Sequence, residues 1–236
     1  MLREIKVGML VSYDYENIKN SLPPVYDYAD RIVLAVDKDG KTWSGNDITI
    51  DASFWQWIKE FDTQHKIEIY RDTFYVEGLS SVQNDTRERN MLGKYMGEGG
   101  WHVQIDADEY FVDFKDFVDF LHYLDVHKKH INCVYQEWLL LYKRLSNGYL
   151  FVKGGGGSTA IATKTPNYVC CRIVENEKKI VYPQRVIHES FARTEEALYT
   201  KLKNWSHNTD FDTEGYFHYW KMIDERNYMF ISNLHP

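Results

Sequence analysis

The residues best placed to do chemistry lie in the stretch Trp101-His102-Val103-Gln104-Ile105-Asp106-Ala107-Asp108-Glu109-Tyr110-Phe111. It reads as a short apolar strand over residues 103–105 that runs into three carboxylates, Asp106, Asp108 and Glu109. β-branched residues suit a buried sheet position. Three acids at the strand's end repel one another, and burying them is costly unless a cation or hydrogen-bond donors meet them. A divalent cation such as Mg²⁺ or Mn²⁺ would do so. Hard cations take oxygen ligands, and Mg²⁺ is usually held by one or two carboxylates plus substrate phosphates and water. The same residues would also serve as an acidic turn opening a helix, whose first turn favours negative charge.

The elements that must position this cluster alternate. A strand over 5–11 leads to a brief helix over 17–22, stopped by Pro23-Pro24. A continuously apolar strand, 31–36, ends in the turn Asp37-Lys38-Asp39-Gly40. A helix over 51–62 places Phe54, Trp57, Ile58 and Phe61 on one face. A strand over 66–70 and a charged helix over 80–95 follow, then the acidic strand, then an amphipathic helix over 114–126 with Phe117, Phe120, Leu121 and Leu124 as its stripe. Alternation of this kind predicts a mostly parallel sheet with right-handed crossovers, which places ligands at the carboxyl ends of its strands. Asp37 and Asp106 then share one rim.

The second half is less regular. Strands over 131–141 and 149–153 read as a hairpin around Ser146-Asn147-Gly148. The run Gly154 to Gly157 lacks the Gly-Lys-Ser/Thr ending of a phosphate-cradling loop and reads as a surface loop. Strands over 168–174 and 179–183 precede a helix over 194–204, opened by Thr194 with Glu195 and Glu196 behind it. The tail from Tyr216 packs as a helix. No repeat or linker divides the chain, so one domain over 1–236 is expected, with halves at 1–125 and 126–236.

The net charge of −7, with no basic stripe, argues against nonspecific nucleic-acid binding. An aromatic content of 16% supplies faces for sugar rings or bases as well as core. Three cysteines, with Cys170 and Cys171 adjacent, make no disulfide framework and fit reduced thiols in the cytoplasm. The charged start, Met1 to Lys6, does not read as a secretory leader, and nothing reaches a membrane-spanning length.

Several motifs, in order, resemble the family-2 glycosyltransferases of the GT-A fold. Val11-Ser12-Tyr13-Asp14, with Asn17-Ile18 and Ser21-Leu22, is similar to that family's first strand and following helix. Val36-Asp37-x-Asp39 is similar to its second-strand acidic turn, Arg87-Glu88-Arg89-Asn90 to its Ala-Arg-Asn segment, and Ile105-Asp106-Ala107-Asp108-Glu109 to its Asp-x-Asp element. His188-Glu189-Ser190, then Lys201, Lys203, Trp205 and His207, is similar to a C-terminal pattern of some members. Two departures stand out. Asp37-Lys38-Asp39-Gly40 replaces the usual Asp-Gly-Ser turn, and the Glu-Asp pair that supplies the base is not evident.

The resemblance implies an α/β, Rossmann-type sheet flanked by helices, with a nucleotide-sugar-binding first half and an acceptor-binding second half. It implies a Mn²⁺- or Mg²⁺-dependent, inverting transfer from a nucleotide-diphosphate sugar, most simply a UDP-sugar. The acceptor would be a hydroxyl on a saccharide, a lipid-linked molecule or another compound, with peripheral contact at the inner face of a membrane and no nucleic-acid partner. Asp106 would contact ribose or metal, Asp108 would ligate the metal, and Asp37, with Asp39 a weaker candidate, would meet base or ribose. Arg87 and Arg89 could offer bidentate donors to phosphate, with surface ion pairs the plainer reading. Tyr13 would stack on the base or sit in the core. His188 would complete the metal site and Glu189 would be the acceptor base, against the plainer reading of a helix-start cluster. Two other classes compete. A sugar-1-phosphate nucleotidyltransferase usually carries a Gly-rich basic loop after the first strand, whereas Ser12-Tyr13-Asp14-Tyr15-Glu16 is acidic and without Gly. A noncatalytic carbohydrate-binding relative would leave the rim acids unexplained.

Overall fold

The computed structural model describes residues 2–152 and 157–230. Gly154, Gly155 and Gly156 of the glycine run lie outside the described residues. The first half runs β1 (Ile5–Val11), α1 (Ile18–Ser21), α2 (Pro23–Tyr26), β2 (Arg31–Asp37), α3 (Ala52–Phe61), β3 (Ile67–Asp72), α4 (Ser81–Met96), β4 (Trp101–Ile105), β5 (Glu109–Tyr110) and α5 (Phe114–His127). The second half runs β6 (Cys133–Leu145), β7 (Gly148–Phe151), β8 (Ser158–Thr163), β9 (Tyr168–Cys170), β10 (Ile173–Val174), β11 (Lys179–Val181), β12 (Val186–His188), α6 (Glu195–Asn204) and α7 (Thr213–Met222).

The strands form a mixed, mostly parallel sheet in the order β3-β2-β1-β4-β8-β6-β12-β5, with β7 and β11 also paired to β6. β1, β2, β3 and β4 are mutually parallel, and β8 is antiparallel to β4 and β6. The mostly parallel sheet is the one expected from the strand–helix alternation, and the α/β, Rossmann-like arrangement is the one the resemblance implies.

The period-2 pattern of the inner strands explains the layering. On β1, Val7, Met9 and Val11 enter the large core beneath the sheet with Phe114, Phe117 and Leu121 of α5. On the opposite face, Leu10 of β1 meets Leu92 and Met96 of α4 together with Val33 and Ala35 of β2. Strands apolar on both faces need helices on both faces. Gly8 lets α4 lie close, since a Cβ there would come within 2.8 Å of Leu92 Cδ2. A third core packs α6 and α7 on β6 through Leu140, Tyr142, Leu198, Leu202 and Trp220.

Side-chain caps set the helix starts. Asp51, Ser80 and Thr194 each accept a backbone N–H of the first turn, and Ser80 forms a reciprocal capping box with Gln83. Two expectations need correction. Pro23-Pro24 does not only end a helix but opens α2, because proline's missing N–H is no loss in a first turn. The strand expected over 168–174 is split into β9 and β10 by a turn at Cys171-Arg172, with Cys171 at φ 45°.

Candidate active site

Asp106 follows β4 directly, so the sheet delivers it to the carboxyl rim. A turn closes behind it: the Glu109 N–H donates to the Asp106 carbonyl at 3.0 Å, and the Asp106 N–H donates to Glu109 Oε2 at 3.0 Å. β5 pairs with β12, which sets His188 opposite Glu109. Residues from both halves of the chain then converge on the acids.

Arg172, from the β9–β10 turn, donates to both oxygens of the fully buried Glu109, at 2.7 and 2.5 Å, and its Nη2 lies 3.3 Å from Asp106 Oδ2. Trp138 Nε1 donates to Glu109 Oε1 at 2.5 Å. Arg89, from α4, donates through Nε to Asp85 at 2.5 Å and through Nη2 to Asp106 at 2.7 Å. Its Nη1 is buried with no partner among the described residues. Asp108 accepts from Arg193 and, at 2.7 Å, from Lys201 Nζ of α6, while His188 Nε2 lies 3.4 Å from its other oxygen. Arg193 also donates to Asp14 at 3.0 Å, tying the end of β1 into the cluster.

These contacts decide protonation. Burial works to raise the Asp108 carboxyl, but Lys201, His188 and Arg193 outweigh it and hold it well below the ordinary range. Asp106 is held low in the same way, with Arg172 and Arg89 overcoming burial. Burial raises Asp14 and Tyr13 instead. Glu88 of α4, which accepts from Trp43 Nε1 at 2.6 Å, is pushed up to about 8 by burial.

Two cavities meet at this cluster. The larger, about 530 Å³, is walled by Trp138, Leu140, Trp205 and Phe211, with Arg172, His207 and Asp210 among its polar groups. The smaller, about 70 Å³, lies over the end of β1 beside Leu10, Ser12, Tyr13, Asp14 and Trp43. Asp85, Arg89, Asp106 and His188 border both.

The expected site residues divide into two groups. Tyr13, Arg89, Asp106, Asp108 and His188 are brought together at the cavities. Asp37 is spent on the backbone: its oxygens accept N–H groups of Asp39, Lys41, Phe74 and Tyr75, which shapes the loops after β2 and β3. Asp39 accepts the Thr73 hydroxyl at 3.2 Å, and Arg87 donates to the Thr73 and Phe74 carbonyls. Glu189 accepts the Tyr110 hydroxyl at 2.6 Å and borders neither cavity. Asp85, Trp138, Arg172 and Arg193 were not legible beforehand. Trp138, Arg172 and Arg193 meet their acids across long stretches of chain, whereas Asp85 pairs with Arg89 one turn further along α4, at a spacing the sequence itself carries. Lys201 stood in the C-terminal pattern, without an assigned contact.

The donor set does not fit the expected divalent cation as it stands. Asp108, the foremost candidate ligand, is already engaged by Arg193 and Lys201, and Asp106 by Arg89 and Arg172. Among the described residues no three His, Cys, Asp or Glu side chains converge in a metal-holding group. Among the described residues, too, no helix is long and apolar enough to cross a membrane.

No family model and no curated protein matches the chain. Among solved structures it is similar to a crystal structure of 4-diphosphocytidyl-2C-methyl-D-erythritol synthase, at 10% identity and a TM-score of 0.35, over 68% of this chain and 73% of that one.

Proposed function

We propose that the rim of β1 and β4 is the active site of a glycosyltransferase that moves a sugar from a nucleotide-diphosphate donor to an acceptor hydroxyl. The observation that carries this reading is the Arg89 guanidinium. It is buried at the junction of two cavities, at the carboxyl end of a parallel sheet, with its Nη1 unpartnered among the described residues. A buried donor left unpaired costs roughly 1–3 kcal/mol, more when charged, so the position favours an anionic acceptor. A phosphate oxygen meets an arginine through charge-assisted bonds.

The nucleotide end of the donor would lie over the smaller cleft, beside Tyr13 and Trp43, with only part of it entering that space. The larger cavity, with Trp138, Trp205 and Phe211, suits the sugar and the acceptor, whose ring faces pack on aromatic side chains. Asp106 stands between them, held as a carboxylate for a donor hydroxyl. Transfer then needs the two substrates held in line and a group to take the acceptor's proton.

Calorimetric titration with UDP and GDP tests the reading, followed by release of nucleoside diphosphate from their sugar derivatives. Micromolar binding that Arg89→Lys weakens is the expected result. A chain that binds neither nucleotide sinks the reading. Release of pyrophosphate from a nucleoside triphosphate and a sugar phosphate would instead establish nucleotidyl transfer, which the acidic Asp14 and Glu16 after β1 do not favour.

A further inference from the structure

We infer that His207, oriented by Asp210, is the general base that takes the acceptor's proton; this rests on the transferase reading above. His207 Nδ1 lies 2.7 Å from Asp210 Oδ2, and both residues border the larger cavity, where the acceptor would enter. With Nδ1–H donated to the carboxylate, the ring's lone pair is on Nε2, the arrangement a base requires.

The other titratable groups around that cavity are committed elsewhere. Asp85 and Asp106 are each occupied by an ion pair with Arg89. His188 faces Asp108. Burial raises the Cys171 thiol, so it stays protonated. Glu189 is outside the cavity, on Tyr110. Of the two histidines at the cavity, His207 is the more exposed, its side chain 40% exposed against 16% for His188, so it can return its proton to water after each turnover.

The segment that carries the pair is anchored. Asn208 donates to Ser44 Oγ at 3.0 Å and to the Lys203 carbonyl at 3.0 Å, and it accepts from Ser81 Oγ at 3.1 Å. The Asp210 N–H donates to the His207 carbonyl at 3.1 Å, and the Trp205 ring sits edge-on to the imidazole at 5.0 Å. The pair is therefore fixed to both α4 and the loop after β2, the elements that also wall the nucleotide side.

In the step, the acceptor O–H bond breaks and its proton goes to His207 Nε2. The acceptor oxygen forms a bond to the anomeric carbon, and the bond from that carbon to the donor's phosphate oxygen breaks. The electron pair stays on that oxygen, and nucleoside diphosphate leaves. Asp210 is a positioning residue, acting through the imidazole.

Two measurements test this. Nitrogen-15 spectra of histidine-labelled protein should show neutral His207 as the Nδ1–H tautomer, shifting to Nε2–H in Asp210→Asn. A wild-type Nε2–H tautomer overturns the inference. Donor hydrolysis, with water standing in for the acceptor and UDP- or GDP-sugars as probes, should fall about 100-fold or more in His207→Gln and less in Asp210→Asn. UDP affinity should stay within about threefold, and Glu189→Gln should keep turnover within about threefold, because the Glu189 carboxylate is bound to the Tyr110 hydroxyl and borders neither cavity. Full turnover in His207→Gln sinks the base while leaving the transferase reading standing. A wild-type chain that binds no nucleotide sinks both.

Discussion

Arg172 grips Glu109 with both terminal nitrogens, at 2.7 and 2.5 Å, and Glu109 is wholly buried. The arginine comes from a two-strand hairpin of the second half and the acid from the start of β5, just after β4, so this bidentate pair joins the halves at the site. Removing one partner strands the other charge in a dry setting, and breaking a buried pair typically costs roughly 3–5 kcal/mol. Glu109→Gln and Arg172→Met should each lower stability by about that much in urea unfolding. The double substitution should cost less than the sum of the singles, since it leaves no orphan charge.

Glu88 gives the protein a pH dependence of opposite sign to a salt-bridged acid. Its folded value, about 8, lies above the ordinary 4.5 of the unfolded chain. The folded state therefore keeps a proton that the unfolded state releases. That stabilisation is complete below about pH 4.5, shrinks as pH rises and is gone above about pH 8. Glu88→Gln removes this component, so the variant should gain on the wild type steadily between pH 5 and pH 8. Parallel stability curves for the two proteins would show that Glu88 is not held protonated.

Asp108 carries two cationic side chains, Arg193 and Lys201, on one carboxylate. A metal ion would have to displace them before it could bind. Titration of the nucleotide-free protein with Mn²⁺, followed by electron paramagnetic resonance of the free ion, should therefore show no stoichiometric uptake. Asp108→Asn should destabilise the fold by roughly 3 kcal/mol or more, because Arg193 and Lys201 lose their shared counter-charge. Tight Mn²⁺ binding by the wild type, abolished in that variant, would reverse this reading.

Much of the frame was legible in the residues alone. Apolar runs marked β1 and β2, helical spacing of Phe54 and Ile58 or Phe117 and Leu121 marked α3 and α5, and Thr194 marked the start of α6. These signals are local: period and capping act within a few residues, so a linear reading detects them. The placement of Asp106 and Asp108 at the end of a parallel strand followed from the same alternation. What meets those acids did not. Arg172 is 66 residues from Asp106, Arg193 is 85 from Asp108, and Lys201 is 93 from Asp108. No motif encodes such distances, because they arise from strand register and from the packing of α6 on β6. The same holds for Asp37, whose carboxylate the tertiary fold turns toward the backbone of the loop after β3, and for Glu189, which it turns toward Tyr110. The sequence alone determined the strand–helix alternation of the first half and the rim that carries the acids; the tertiary structure set β8 between β4 and β6 and decided which charges neutralise the acids, since burial forces each acid to find a donor wherever the packing brings one within reach.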